Sequence, residues 1–224
     1  MDYRRLPEKL PDDPLPYVDA WLNWATAESG LRNPHAMALA TADSGAVPTV
    51  RMVLLKSVDT RGFGVFYTHY GSPKSRHASA NPHGAGVLYW DALGRQLRLE
   101  GPLVKSPQAE SDRYFATRPT LSQLNALISQ QSQPLADPRN LERQSVEFAA
   151  THGITLSDPS ISTEPGNLPR PANWGGYRLW FAAIELWAEG KGRFHERIRF
   201  ERELRLEGHE ARHAGPWRAT RLQP

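Results

Sequence analysis

Between residues 36 and 104 the chain carries five short apolar runs, Ala36 to Thr41, Val50 to Leu55, Gly64 to Thr68, Gly84 to Trp90 and Gln96 to Val104. Turn-forming links part them: Asp43-Ser44-Gly45, Asp59-Thr60-Arg61-Gly62 and Asp91-Ala92-Leu93-Gly94. Strand-length runs at such short intervals argue for an antiparallel barrel and against a doubly wound sheet. Strands return at Tyr177 to Trp187, Phe194 to Glu201 and Trp217 to Leu222. Helices are expected at Tyr17 to Ser29, where Val18, Trp21, Leu22 and Ala25 recur at helical spacing before Gly30, and at Gln108 to Thr117 behind the cap Ser106-Pro107. Two more are expected at Leu121 to Gln130 and Asn140 to Ala150. The fold class is therefore mainly β with flanking helices. Residues 1–16, with Pro7, Pro11, Pro14 and Pro16, read as an N-terminal arm or lid, 17–224 as a single domain, and the proline-rich stretch 151–173 as an extended loop.

A chain of 224 residues with 39% hydrophobic content can bury a real core. Its net charge is +3, and the arginines are scattered, not gathered in a basic block interleaved with aromatics, which favours small anionic ligands over nucleic acid. Cysteine is absent, so neither disulfides nor thiolate metal sites are available. No segment approaches 18 apolar residues and no apolar stretch follows the first residues, so the expectation is a soluble, unexported, cytoplasmic protein with no membrane partner.

His209-Glu210-Ala211-Arg212-His213 matches the zinc-protease pattern H-E-x-x-H. That chemistry needs both histidines on one face of a long buried helix. Gly208 and Gly215 bracket these five residues and Pro216 follows, so they read as a solvated hairpin loop, with no metal expected. There is no G-x-G-x-x-G or Walker loop. Instead, Tyr67-Thr68-His69-Tyr70-Gly71-Ser72-Pro73-Lys74 runs from a strand through Gly71 into a helix start, where free N–H groups, a hydroxyl and a lysine could seat a phosphate or simply cap the helix. Arg51-Met52-Val53-Leu54-Leu55-Lys56 reads as a buried strand that begins and ends with a cation, each of which needs a partner. Tyr114 and Arg118 stand one helical turn apart, with Ser122 and Gln123 just past Pro119, a set that suits a phosphate ester or an ordinary helix end. In Gly192-Arg193-Phe194-His195-Glu196-Arg197, strand alternation would put Arg193, His195 and Arg197 on one face and Phe194 and Ile198 toward a core.

Taken in order, these stretches, with Gln96, Gln131-Ser132, Trp174-Gly175-Gly176 and Trp187, resemble the FMN-dependent pyridoxine (pyridoxamine) 5'-phosphate oxidases from about Leu15 to Pro224. The resemblance implies an FMN-binding split β-barrel that works as a homodimer with FMN at the subunit interface. It implies flavin contacts from Arg51, Met52, Val53, Leu54, Leu55, Lys56, Tyr67, Thr68, Ser72, Lys74, Gln96, Gln131, Ser132, Trp187 and Arg197. The phosphorylated pyridine substrate would be held by Lys56, Tyr114, Arg118, Ser122, Arg193 and His195, with Arg193 and His195 as the catalytic pair and O2 as acceptor, giving hydrogen peroxide. The chain departs from the family at Pro73, where an arginine is usual, at Asn125-Ala126-Leu127, and in the arm. Val87-Leu88-Tyr89-Trp90 is similar to the related phenazine-biosynthesis flavin oxidases, so a secondary-metabolite oxidase is one alternative, and a flavin-binding split-barrel protein without turnover is another.

Overall fold

The computed structural model describes residues 3–224. They fall into two compact units: one runs to Phe66, resumes from His77 to Lys105 and again from Tyr177 to the C-terminus, and the other comprises Tyr67–Arg76 and Ser106–Gly176.

The first unit is mostly sheet. Its strands are β1 (Ala36–Ala42), β2 (Pro48–Leu54), β3 (Ser57–Asp59), the start of β4 (Phe63–His69), β5 (His83–Trp90), β6 (Arg95–Lys105), the end of β7 (Trp174–Trp180), β8 (Ala183–Ala188), β9 (Glu196–Glu201) and β12 (Arg218–Leu222). They pair in the order β12-β9-β8-β6-β5-β1-β2, while β3, β4 and β7 form a branch that rejoins at β6. The β1–β2, β1–β5, β5–β6, β6–β8 and β8–β9 pairings are antiparallel, as tight links between neighbours require. One face of the central strands is core: Leu97 and Leu99, Ile184 and Leu186, Ile198 and Phe200 are all fully buried. Each such side chain contributes about 1.5–3 kcal/mol. The residues between them, Gln96 and Arg98, Glu185 and Trp187, Arg197 and Arg199, therefore share the opposite face.

The eleven-residue β6 pairs with β8 up to Glu100 and with β7 from Leu103. It turns between these partners at Gly101, where a Cβ would lie 1.9 Å from the Trp180 carbonyl oxygen, so only glycine permits the approach. The expected single strand Tyr177 to Trp187 is accordingly two, broken at Phe181-Ala182. A hairpin of β10 (Leu204–Glu207) and β11 (Glu210–Ala214) completes the unit. It carries the H-E-x-x-H residues on its turn and second strand, with His209 Nδ1 against the Lys105 carbonyl and Glu210 bound to Arg178 and Arg61.

Helix α1 (Leu15–Glu28) starts two residues earlier than its apolar periodicity indicates, because the Asp13 carboxylate accepts the Leu15 N–H at 3.0 Å and Pro14 sets the first turn. It buries Tyr17, Val18, Trp21, Leu22 and Ala25. Met1 and Asp2 of the expected arm lie outside the described residues; the rest is tied to the same unit, with Trp21 Nε1 donating to the Tyr3 carbonyl at 2.8 Å and Arg95 to that of Arg4.

The second unit is mostly helical: α3 (Gln108–Ala116), α4 (Thr120–Ile128) and α5 (Arg139–Thr151), with part of α2 (Pro73–Ala80). Gln123 is fully buried and bonds the carbonyls of Phe115 and Gly166 and the amide of Leu168. The long loop is thereby fastened to α4.

Two strand expectations fail. The run from Arg51 lies on β2 at the edge of the sheet with Val50, Met52 and Leu54 67%, 62% and 39% exposed, so it is not a buried strand. The Arg193–Arg197 row is not a continuous strand either: β9 begins only at Glu196, Gly192 and Arg193 both take positive φ, and Phe194 is 80% exposed instead of facing the core. The cause is a tight turn at Gly190, where a Cβ would meet the Phe194 carbonyl oxygen at 1.8 Å.

Candidate active site

In the second unit, β4 delivers Tyr67 and Thr68 at its end, and the chain then closes on itself. The His69 carbonyl accepts from the hydroxyls of Ser72 and Ser75 at 2.8 and 2.9 Å, which sets the turn that starts α2. Lys74 is thereby folded back, and its buried ammonium donates to Thr68 Oγ1 (2.9 Å), Ser72 Oγ (3.1 Å) and Gln131 Oε1 (2.8 Å). Thr68 also donates to Gln131 at 3.0 Å. Thr68, Ser72 and Lys74 of one short stretch thus form a cluster with Gln131, which lies 57 residues beyond Lys74. Ser132 follows in a left-handed turn at φ 68°.

The same unit builds an aromatic platform. Tyr67 and Tyr114 stack at 3.8 Å, and Trp174 lies parallel to both at 5.4 and 6.2 Å. Gly176 makes the approach possible, since a Cβ there would lie 3.0 Å from the Tyr67 ring. Arg118, just beyond α3, places its guanidinium 4.6 Å from the centre of the Trp174 ring and 5.7 Å from that of Phe115. Its Nη1 is buried with no hydrogen-bond partner among the described residues, and burial holds the group below the usual arginine pKa. A guanidinium left in that state is a receptor for an oxyanion. Ser122 is half-buried on α4.

In the first unit, Arg51 on β2 reaches across to the Leu39 carbonyl (2.9 Å) and the hydroxyls of Thr41 (2.8 Å) and Thr49. Burial lowers its pKa, and these partners are neutral oxygens, so its charge is uncompensated by them. Met52, Val53 and Leu54 continue the strand, Leu55 is buried, and Lys56 is exposed past its end, its amide bonded to the Val65 carbonyl.

Gln96, Trp187 and Arg197 lie side by side in the ladder across β6, β8 and β9, with Tyr89 next in the row on β5. Directly opposed residues share a face, so the three form one stripe. Arg197 is aimed by the buried Glu185 carboxylate at 2.9 Å and the Gln223 carbonyl at 3.1 Å. The turn past β8 carries Arg193 and His195 onto an open cavity of about 630 Å³, shared with Arg95, Asp91 and Lys191. His195 packs against Trp187 at 4.7 Å, and its Nδ1 accepts the Gly190 N–H at 3.2 Å, which leaves the neutral ring's proton on Nε2. The structure therefore groups the predicted residues into two sets, one in each unit. The sequence reading assigns no role to Trp174 or His69; the Trp-Gly-Gly run is the signal for the first, and nothing in the spacing marks the second.

An FMN phosphate fits donors of the Thr68, Ser72 and Lys74 type, even with Pro73 in place of a further cation. Among the described residues no three metal-ligating side chains converge, and no helix is long and apolar enough to cross a membrane.

Residues 24–154 match the family Pyridoxamine 5'-phosphate oxidase, and 174–224 match the Pyridoxine 5'-phosphate oxidase C-terminal dimerisation region. The chain is 42% identical to the pyridoxine/pyridoxamine 5'-phosphate oxidase of Nitrobacter hamburgensis over 212 residues, covering 95% of this chain and 90% of that one. It is 42% identical to that of Rubrobacter xylanophilus over 213 residues, 95% and 87% of the two chains. The crystal structure of PhzG from Burkholderia lata 383 in complex with tetrahydrophenazine-1-carboxylic acid superposes with a TM-score of 0.82 at 31% identity, covering 98% of each chain.

Proposed function

Because the chain belongs to the FMN-dependent pyridoxine/pyridoxamine 5'-phosphate oxidase family and is an oxidase of that type, we propose that it converts pyridoxamine or pyridoxine 5'-phosphate to pyridoxal 5'-phosphate, with O2 as acceptor and H2O2 as product. The observation that carries the substrate class is Arg118: a half-buried guanidinium lying on Trp174, beside Tyr114, whose Nη1 is buried with no hydrogen-bond partner among the described residues, calls for a phosphoryl group. Tyr114, Arg118 and Ser122, with Lys56, hold that phosphate. Arg193 and His195 address the pyridine from the cavity, His195 as an Nε2–H donor.

FMN, when bound, supplies the two-electron redox chemistry. The protein binds it through Lys74, Thr68, Ser72, Gln131 and Ser132 at one group, and through Arg51 to Lys56, Tyr67, Gln96, Trp187 and Arg197 elsewhere. The exposed apolar residues Val50, Met52 and Leu54 are the face on which a second copy packs, in keeping with the dimerisation region matched at 174–224.

The second reading is oxidation of a reduced phenazine-like secondary metabolite, favoured by the likeness to PhzG. Offering FMN-loaded protein pyridoxamine 5'-phosphate, pyridoxine 5'-phosphate and a dihydrophenazine, and measuring peroxide and aldehyde, separates the two. Turnover of the dihydrophenazine alone overturns the pyridoxamine/pyridoxine 5'-phosphate reading.

A further inference from the structure

His69 stands in the turn that carries Lys74, and it is neither among the proposed flavin contacts nor among the proposed substrate contacts. Its side chain is 7% exposed, and its Nδ1 is fully buried with no hydrogen-bond partner among the described residues. Two such buried nitrogens occur in this unit, His69 Nδ1 and Arg118 Nη1. The turn is built around His69: its carbonyl is the acceptor for the Ser72 amide at 3.2 Å and for the hydroxyls of Ser72 and Ser75, and Ser72 is in turn a partner of the Lys74 ammonium. The His69 main chain and that ammonium therefore belong to one short, closed loop, and the Lys74 charge acts on the buried imidazole that hangs from it. An arginine is missing at Pro73, next to Lys74, where the family often supplies a second cation.

We propose that His69 is a donor of the phosphate seat formed by Thr68, Ser72, Lys74 and Gln131, and that it takes up a proton from solvent when the phosphate monoester of FMN enters.

Before the anion arrives, burial and the charges of Lys74 and Arg118 disfavour the imidazolium, so His69 rests neutral. The charged groups that act on it are those two, from α2 and from the turn after α3. A phosphate dianion reverses the local field and favours the protonated ring, whose charge replaces the one that Pro73 cannot supply. The uptake is directional evidence, because a monoester with a second pKa near 6 can only release protons when it binds as a dianion.

This inference rests on the FMN reading, and the test separates the two. FMN and riboflavin are titrated into the full-length, flavin-free protein by calorimetry in buffers of different ionisation enthalpy at pH 7, with His69→Asn alongside. The expected result is net proton uptake with FMN, none with riboflavin, and none with FMN in His69→Asn. The variant should bind FMN about ten-fold more weakly at pH 6, a gap that closes toward pH 8.5 as the wild-type imidazole loses its charge. Net proton release by the wild type with FMN overturns the proposal without recourse to any variant, as does a His69→Asn protein with unchanged FMN affinity and proton count. If the wild type binds no FMN at all, the cofactor reading falls along with it.

Discussion

Arg118 is the residue on which the substrate assignment turns. Replacing it with alanine should leave FMN affinity nearly intact while lowering kcat/KM for pyridoxamine 5'-phosphate by about one to two decades, the worth of one charge-assisted phosphate contact. Steady-state peroxide assays beside a flavin titration check both halves; a variant that oxidises this substrate as fast as the parent shifts the assignment toward the phenazine-type oxidases. Arg197→Ala should behave in the opposite sense, weakening FMN about ten-fold or more, because its guanidinium is fixed by Glu185 and Gln223 in line with Gln96 and Trp187. The Tyr114 and Arg118 pair was legible because helical spacing is local. Trp174, which completes their site, was visible as part of the Trp-Gly-Gly run but not as their partner, since stacking across some sixty residues of chain leaves no trace in spacing. His69 lay inside a motif whose hydroxyls and lysine drew the chemical reading, and only its burial distinguishes it.

At the scale of elements, period and punctuation predicted the helices and most strands to within a few residues. The turn-rich sheet was therefore legible from the order of apolar runs. What failed was alternation carried across glycines: the row Arg193, His195, Arg197 assumed an extended backbone, and Gly190 and Gly192 break it. This makes Gly190 a sharp probe. Gly190→Ala must open the turn at the Phe194 carbonyl and lose the bond that orients His195, so turnover should fall at least ten-fold while the flavin spectrum is kept. A variant with parental kcat/KM would mean that His195 needs no such support. On β2, Met52→Asp places a charge on an exposed apolar strand face. If that face is where the second copy packs, light scattering should report monomer for the variant and dimer for the parent at micromolar concentration.

Over the whole molecule, the polar face of the sheet ties charge to acid stability. Glu100 hydrogen-bonds Arg199 at 2.9 Å and pairs with Arg98, and these contacts hold its carboxyl below the ordinary value. A carboxylate with a lowered folded-state pKa stabilises the native state above its unfolded value, near 4.3, and that contribution disappears as pH falls through the folded pKa. Arg199→Ala should therefore lower Tm at pH 7 and converge on the parent near pH 3, and thermal melts at the two pH values measure it. A gap that persists in acid would mean that the arginine acts through packing alone.

The stripe of Gln96, Trp187 and Arg197 alternates, residue by residue, with Leu97, Leu186 and Ile198 of the core. A slip of one residue in any of these strands would drive guanidinium and carboxylate groups inward and leucines outward. Errors that would deprive the molecule of its ligand are thus the same errors that deprive it of a fold. A population of this protein should contain few durable, soluble but inert impostors, and whatever survives purification as folded chain should be competent to bind.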